Sequence, residues 1–595
     1  MKIKEMYKNN NIKMLFNFIF SLLFVAGFNY YFFYENIFGR ESIFNFLLLF
    51  FSMYIINQNK DVSFKSKRIP YLFSIIFVFF LLLGNRIYYT DDISTFYNLK
   101  IIFFTLITFI GFSKIIGEVI YIIFDKLTKY KFESKKVWKL YKNKYVWLII
   151  WAFIFISWIP AFLTFYPGIF RYDFNYQTFM ALNTMPFTKF HPPIHTLIWK
   201  LCINYGNFTG LNAGAHYTIP QMLFLSFAYA RMIKFFIDKK INNWLILISI
   251  LFLSINPVIA LFSIEMTKDV YFTVFLVLFI VELLELLYDN TKFLNSKKHW
   301  ALFIIYATLS LLFRNNFSYA YLLFIPIIVI YFRKYADKVL FITVIPCIAY
   351  LLINNVIYPL SGIGEGDERE KLNVPIQQIA YVVNKHNDTL SDVEKKQIDN
   401  YIDYKKAKEE YNPRFSDPVK NTFKTNYYKK NKKKFYKLWS NIFKNHKSDY
   451  ISSFLTLNLP FWYIDVHTTE TKGVMTYIGI GDQNVENRTY VVSRRYIIPS
   501  LIEPYRKVGK YEAMERLPFI STIFSIAFPI WIMIFTIFIL IYKKDYKYIL
   551  PIILLILFWL TYILGPLSCF RYVFPLFSLY PLFIVLIFNS DILNN

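Results

Sequence analysis

Three cysteines in 595 residues, Cys202, Cys347 and Cys569, are too few and too scattered for a disulfide framework or a zinc site, and they read as packing residues. Charge is scarce as well. Asp, Glu, Lys and Arg make up 18% of the chain, against 56% hydrophobic and 21% aromatic residues, a balance that a water-soluble core of this length does not need. Acidic residues are the scarcer sign, 39 against 66 basic ones. The formal charge of +27 does not point to nucleic acid, because the basic residues lie dispersed between apolar stretches instead of gathering on one soluble face. No small-residue cleavage pattern follows the first apolar stretch, although Lys2, Lys4, Lys8 and Lys13 precede it, so it is expected to remain as an uncleaved span.

What the chain does have is repeated apolar runs near the ~20 residues that cross a hydrocarbon core as a helix. Residues 14–34, 43–56, 69–84, 101–124, 145–165, 217–236, 244–262, 270–287, 301–312, 317–332, 339–358, 518–542, 548–564 and 573–588 give about fourteen candidate spans. Lys and Arg cluster in every second connection: the N-terminal tail, Lys60 to Arg68, Lys126 to Lys144, Lys234 to Lys240, Lys292 to Lys298, Arg333 to Lys338 and Lys543 to Lys547. Basic short loops stay in the cytoplasm. Both termini are therefore expected inside and residues 359–517 outside. The abundance of Lys, Asn, Ile, Tyr and Phe fits an AT-rich bacterial genome, and the membrane is read as a bacterial plasma membrane. The insert 359–517 mixes Lys, Asn, Asp and Tyr with dispersed apolar positions, which predicts a mostly helical external domain.

The unusual polar residues fall on the outward side of this topology. The long loop after the fifth span carries Tyr166-Pro167-Gly168, Asp173 and Gln177, then His191-Pro192-Pro193 and His195. A carboxylate at Asp173 could serve as a general base on a hydroxyl or hold a divalent cation; the bland alternative is a solvated loop acid. His191 and His195 are candidates for substrate contact or for ordinary interfacial hydrogen bonds, and the prolines between them argue against a metal pair on one helical face. Glu265-Met266-Thr267-Lys268-Asp269 places three ionisable groups in five positions at membrane depth. Lys268 could meet a phosphate, and Glu265 or Asp269 a metal or an ion-pair partner. Arg314-Asn315-Asn316 and Arg571-Tyr572 put arginines on the side that topology does not favour, as candidate anion receptors or as snorkelling side chains. In the insert, Asn373 to Ala380 reads as a helix start and Ser416-Asp417-Pro418 as a capped one. Pro460-Phe461-Trp462-Tyr463 forms an aromatic patch suited to sugar stacking or to interfacial anchoring.

The order of an acid in the first long external loop followed by His-Pro-Pro resembles the GT-C superfamily of membrane glycosyltransferases. The wider set Tyr166-Pro167-Gly168, Asp173, Gln177, Thr267-Lys268-Asp269, Arg314-Asn315-Asn316, Val374–Ala380, Ser416–Lys420 and Arg571-Tyr572 resembles an uncharacterised Gram-positive polytopic membrane family placed near those enzymes. The resemblance runs from about Tyr145 to Phe588. It implies an all-α integral membrane protein with a GT-C-like core and a polyprenyl-phosphate-linked sugar as donor. It further implies a cell-envelope glycan or lipid as acceptor, transfer on the outer face, and Asp173 as presumed base. Phe174 follows Asp173 where many relatives have a second acid, which leaves a divalent cation as an open question. Four parts are expected: residues 1–144 as extra membrane helices, 145–358 as the core with the loop 166–214, 359–517 as the external domain and 518–595 as closing helices. The competing expectations are a transporter or flippase of a lipid-linked saccharide, for which Glu118, Glu282 and Glu285 supply charges within spans, and a polysaccharide polymerase or ligase.

Overall fold

The structure, a computed structural model, describes residues 10–32, 42–59, 62–130, 138–170, 172–466, 495–509, 520–590 and 593. The expectations placed on Lys2, Lys4, Lys8 and Lys60 lie outside the described residues. Among the described residues the fold is helical, with only isolated bridges and no strand. Each of the apolar stretches read from the sequence falls largely in helix among the described residues, with 518–542 interrupted at residues 524–527. Seven helices are long and apolar enough to cross a membrane, or up to nine if two bent pairs each count as one span. Large apolar side chains lie open along them, among them Phe79 (53% exposed), Phe103 (59%) and Leu106 (53%). Apolar surface on that scale is unstable against water and stable against lipid, so the chain is a membrane protein.

The chain divides into two compact units, each discontinuous in sequence. The first comprises residues 1–131, 374–466 and 534–544. Its helices Asn10–Phe32, Phe64–Thr90 and Leu99–Lys129 enclose an apolar core around Tyr31, Val78, Leu82 and Phe112. Within that packing Glu118 is neutralised: Lys67 and Lys114 reach its carboxylate at 2.9 and 2.7 Å, and the Tyr71 hydroxyl donates at 2.6 Å. Residues 374–466 of the insert belong to this unit, and the aromatic patch there is packed inside it instead of lying open for sugar stacking or interfacial anchoring. Phe461, Trp462 and Tyr463 are buried, with the Trp462 ring edge-on to Phe80 and the Tyr463 hydroxyl 2.9 Å from that of Tyr31. Gly84 makes this approach feasible, because a Cβ there would lie 2.3 Å from the Tyr463 ring. Asn373–His386 is helical as expected; Ser416 heads only the single turn Asp417–Lys420 and makes no side-chain cap.

The second unit comprises residues 132–373, 467–533 and 545–595. Helix Lys268–Tyr288 is apolar on all sides, as a helix in the middle of a bundle must be, and it is buried almost throughout. Helices Ala213–Asp238, Lys297–Phe313 and Phe570–Phe577 pack around it. The acids at its far end are paired, Glu282 with His299 at 2.7 Å and Glu285 with Lys239 at 2.8 Å. Two apolar stretches read as single spans are bent. Asn243–Ile255 meets Pro257–Ser263 at 55°, and Phe570–Phe577 meets Tyr580–Asn589 at 40°. The first bend has a local cause: Pro257 cannot continue a helix ladder, and the Asn256 side chain instead accepts from the Val258 amide at 3.0 Å and starts a new helix.

Candidate functional site

Backbone pairing brings the two polar loops of the second unit together. The Ile169 amide donates to the Ile264 carbonyl at 3.0 Å and the Met266 amide to the Ile169 carbonyl at 2.9 Å. The buried Gln221 side-chain amide fixes the second loop by donating to the carbonyls of Ser263 and Glu265, both at 2.9 Å. Close approach here depends on Gly168, whose φ is +147° and whose absent Cβ would stand 2.6 Å from the Thr218 hydroxyl.

This pairing sets Asp173, in the first turn of helix Tyr172–Ala181, opposite Lys268, the first residue of helix Lys268–Tyr288. Helix Phe570–Phe577 contributes Arg571. Asp173 Oδ2 accepts from Arg571 Nη1 at 2.8 Å and lies 3.4 Å from Lys268 Nζ. The side chains of Asp173, Lys268 and Arg571 keep 25, 19 and 15% of their surface open, so the trio lines a space that solvent can enter. It carries two positive charges and one negative. Burial opposes ionisation of Asp173, but Arg571 and then Lys268 overcome it and hold the carboxyl well below the usual carboxylate range.

His191 lies beside the trio, with Nδ1 3.3 Å from Lys268 Nζ. Burial, reinforced by the Lys268 charge, pushes its pKa down to about 3, so the ring is neutral at physiological pH. A neutral imidazole that accepts from a lysine on Nδ1 carries its proton on Nε2. That buried Nε2 finds no hydrogen-bond partner among the described residues. An unmet buried donor is costly and marks where an acceptor atom is expected.

The other sequence candidates form layers around this centre. His195 is fully buried, its Nδ1 bonded to Gln177 Oε1 and its Nε2 2.5 Å from the Tyr217 hydroxyl. Both ring nitrogens are occupied, so Gln177, His195 and Tyr217 satisfy one another. Asp269 does not pair with its neighbour Lys268. It binds Arg314, whose guanidinium also donates to Asn316 Oδ1 at 3.1 Å and lies 5.1–5.7 Å from the rings of Phe272, Phe558, Tyr562 and Tyr572. Glu265 is fully buried. Phe272, Phe558 and Tyr562 of the aromatic box, and Tyr217, are the parts that sequence reading missed; tyrosine and phenylalanine are so frequent here, 48 and 67 residues, that no spacing singles them out. A cavity of about 490 Å³ lined by Lys142, Lys144, Tyr145, Lys234 and Asp238 includes none of the site candidates.

Residues 182–591, more than half of the chain, match a family of unknown function (DUF6020). The chain belongs to that family. No curated protein and no solved structure matches it. In this DUF6020 member the matched span contains His191, His195, Glu265, Lys268, Asp269, Arg314 and Arg571, while Asp173 and Gln177 precede it.

Proposed function

We propose that the protein is a membrane glycosyltransferase of about fourteen spans with a GT-C-like core, acting on the outer face of a bacterial plasma membrane. It moves a sugar from a polyprenyl-phosphate donor to a hydroxyl of a cell-envelope glycan or lipid. One observation carries this reading: a partly open carboxylate held by two cations, beside a buried imidazole N–H with no partner among the described residues. A lipid phosphate is the anion that suits Arg571 and Lys268 at membrane depth. As it binds it competes with Asp173 for both cations, so the carboxylate becomes free to accept a proton. The acceptor hydroxyl then loses its proton to Asp173 and its oxygen bonds to the anomeric carbon. The bond from that carbon to the phosphate oxygen breaks, and the charge left on the polyprenyl phosphate falls to Arg571 and Lys268. A divalent cation on Asp173 would face two fixed positive charges within hydrogen-bonding range, so Arg571 and Lys268 supply the positive charge at the phosphate in this proposal.

Two bent spans favour a second reading, transport of the lipid-linked saccharide. One bend leads into the Glu265–Asp269 segment and the other follows Arg571 by a few residues, and broken helices that present their ends to an anion are a transporter device. Full-length protein in vesicles, supplied with a labelled polyprenyl-phosphate sugar and envelope acceptors, separates the two. Labelled sugar on the acceptor is expected; transbilayer movement of intact donor without transfer would replace the first reading by the second.

A further inference from the structure

In the first unit, a second cluster joins the end of helix Asn373–His386 to the start of helix Lys447–Leu457. Asp449 Oδ2 lies 3.0 Å from His386 Nε2 and 3.2 Å from His446 Nδ1, and the two imidazole rings are 4.6 Å apart. These three atoms all lie within 4.8 Å of one another. Two nitrogens and one carboxylate oxygen are the ligand types that zinc takes, and atoms about 2.1 Å from a tetrahedral ion stand about 3.4 Å from one another. The observed separations need only small side-chain rotations to admit an ion.

The surroundings also suit a cation. The other oxygen, Asp449 Oδ1, accepts from Lys385 Nζ at 2.8 Å, which turns Oδ2 toward the imidazoles. Lys385 is itself held by Asp92 at 2.6 Å, and Asp92 accepts from the Ser452 hydroxyl at 3.0 Å. With neutral imidazoles, Asp92, Asp449 and Lys385 leave one net negative charge around the three donors. The histidine side chains are 28 and 18% exposed and Asp449 6%, so an ion could enter from solvent and remain largely shielded. A carboxylate oriented by a fixed outer partner is the usual support of a metal ligand.

We propose that His386, His446 and Asp449 bind a zinc ion, with water in the fourth position, and that the ion clasps the two insert helices. The site is independent of the glycosyltransferase reading. The test uses full-length protein without a polyhistidine tag, stripped by chelator and then dialysed against zinc or cobalt ions. One equivalent of zinc should be retained, the melting temperature should rise on zinc addition, and the cobalt form should show the visible spectrum of tetrahedral nitrogen and oxygen ligation. His386→Ala or His446→Ala should weaken zinc binding by about 10-fold or more and abolish that spectrum. Stripped wild-type protein that takes up no zinc, or a double variant that binds as much as wild type, overturns the proposal. The wild-type cobalt spectrum decides the matter even if the variants fold poorly.

Discussion

Replacing Asp173 by Asn separates chemistry from binding, because the amide keeps the carboxylate's shape and loses its charge and its basicity. In the native site Asp173 receives Arg571 at 2.8 Å and Lys268 at 3.4 Å, with 25% of its side chain open. A hydrogen bond between charged partners in such a partly desolvated place contributes about 1.5–3 kcal/mol. In the proposed reaction the donor phosphate must displace those contacts before it can use the same cations. Removing the charge removes the competitor, so donor binding to Asp173→Asn should tighten by about tenfold, the equivalent of ~1.4 kcal/mol. Turnover should meanwhile fall by ~10²–10⁴, the usual contribution of a positioned base. Equilibrium binding of a non-hydrolysable polyprenyl-phosphate sugar and single-turnover transfer, both in lipid nanodiscs, read the two effects separately. A well-folded variant that transfers sugar at the wild-type rate would remove Asp173 from the chemistry. A variant that binds the donor more weakly would refute the competition between carboxylate and phosphate.

Arg571→Gln should weaken donor binding by about 10-fold or more while sparing the fold, since Lys268 still faces Asp173 and the lost contact is a charge-assisted one on an anion; unchanged binding and transfer would exclude a phosphate there. Arg314→Met should instead destabilise the protein by about 3–5 kcal/mol, because the fully buried Asp269 is left without its cation. Thermal unfolding in detergent reads this, and Arg314→Met combined with Asp269→Leu should recover much of the loss. Acid should loosen the insert through Asp92, where burial opposes ionisation but Lys385 and Ser94 bring the pKa down to about 2 from 3.8. A depressed carboxyl contributes stability that is present above the unfolded value and lost as pH falls toward the folded one, here on the order of 1 kcal/mol between pH ~4 and ~2 once solvent screening of this partly open group is allowed for. Hydrogen exchange in Lys447–Leu457 should rise over that interval, and Asp92→Asn should flatten the rise.

Apolar runs were enough to place the helices, because lipid requires an unbroken hydrogen-bonded backbone and rewards a run of the right length wherever it stands. The stretch 244–262 shows the limit of counting. Pro257 sits in its middle with Asn256 before it, a helix stop and restart in plain view, yet the average hydropathy of the run conceals a 55° bend. The aromatic patch 460–463 fails for another reason. A residue type does not state which surface it meets, and the complement that buries Tyr463 is a missing side chain at Gly84, far away in sequence. The site is partly legible in the same sense. Position on the loops that the charge pattern reads as outward singles out Asp173, Lys268 and Arg571, but Arg571 and Asp173 are 398 residues apart and one sequence carries no sign of their contact.

Two arginines that look alike in the sequence thus take different parts. Arg314 and Asp269 retain 7 and 0% of their side-chain surface, Arg571 and Asp173 15 and 25%. A closed pair surrounded by rings cannot trade its anion for another without leaving a buried charge alone, whereas an open pair can. The closed pair still bears on the open one. Asp269 follows Lys268 in the first turn of helix Lys268–Tyr288, where the Thr267 hydroxyl also donates to Asp269 at 3.2 Å. By gripping Asp269, Arg314 fixes that turn, and the turn sets the direction in which Lys268 leaves the helix toward Asp173 and His191. Arg314 therefore acts as a positioning residue for the cation next to it, and its substitution should disturb Lys268 without any contact with the donor.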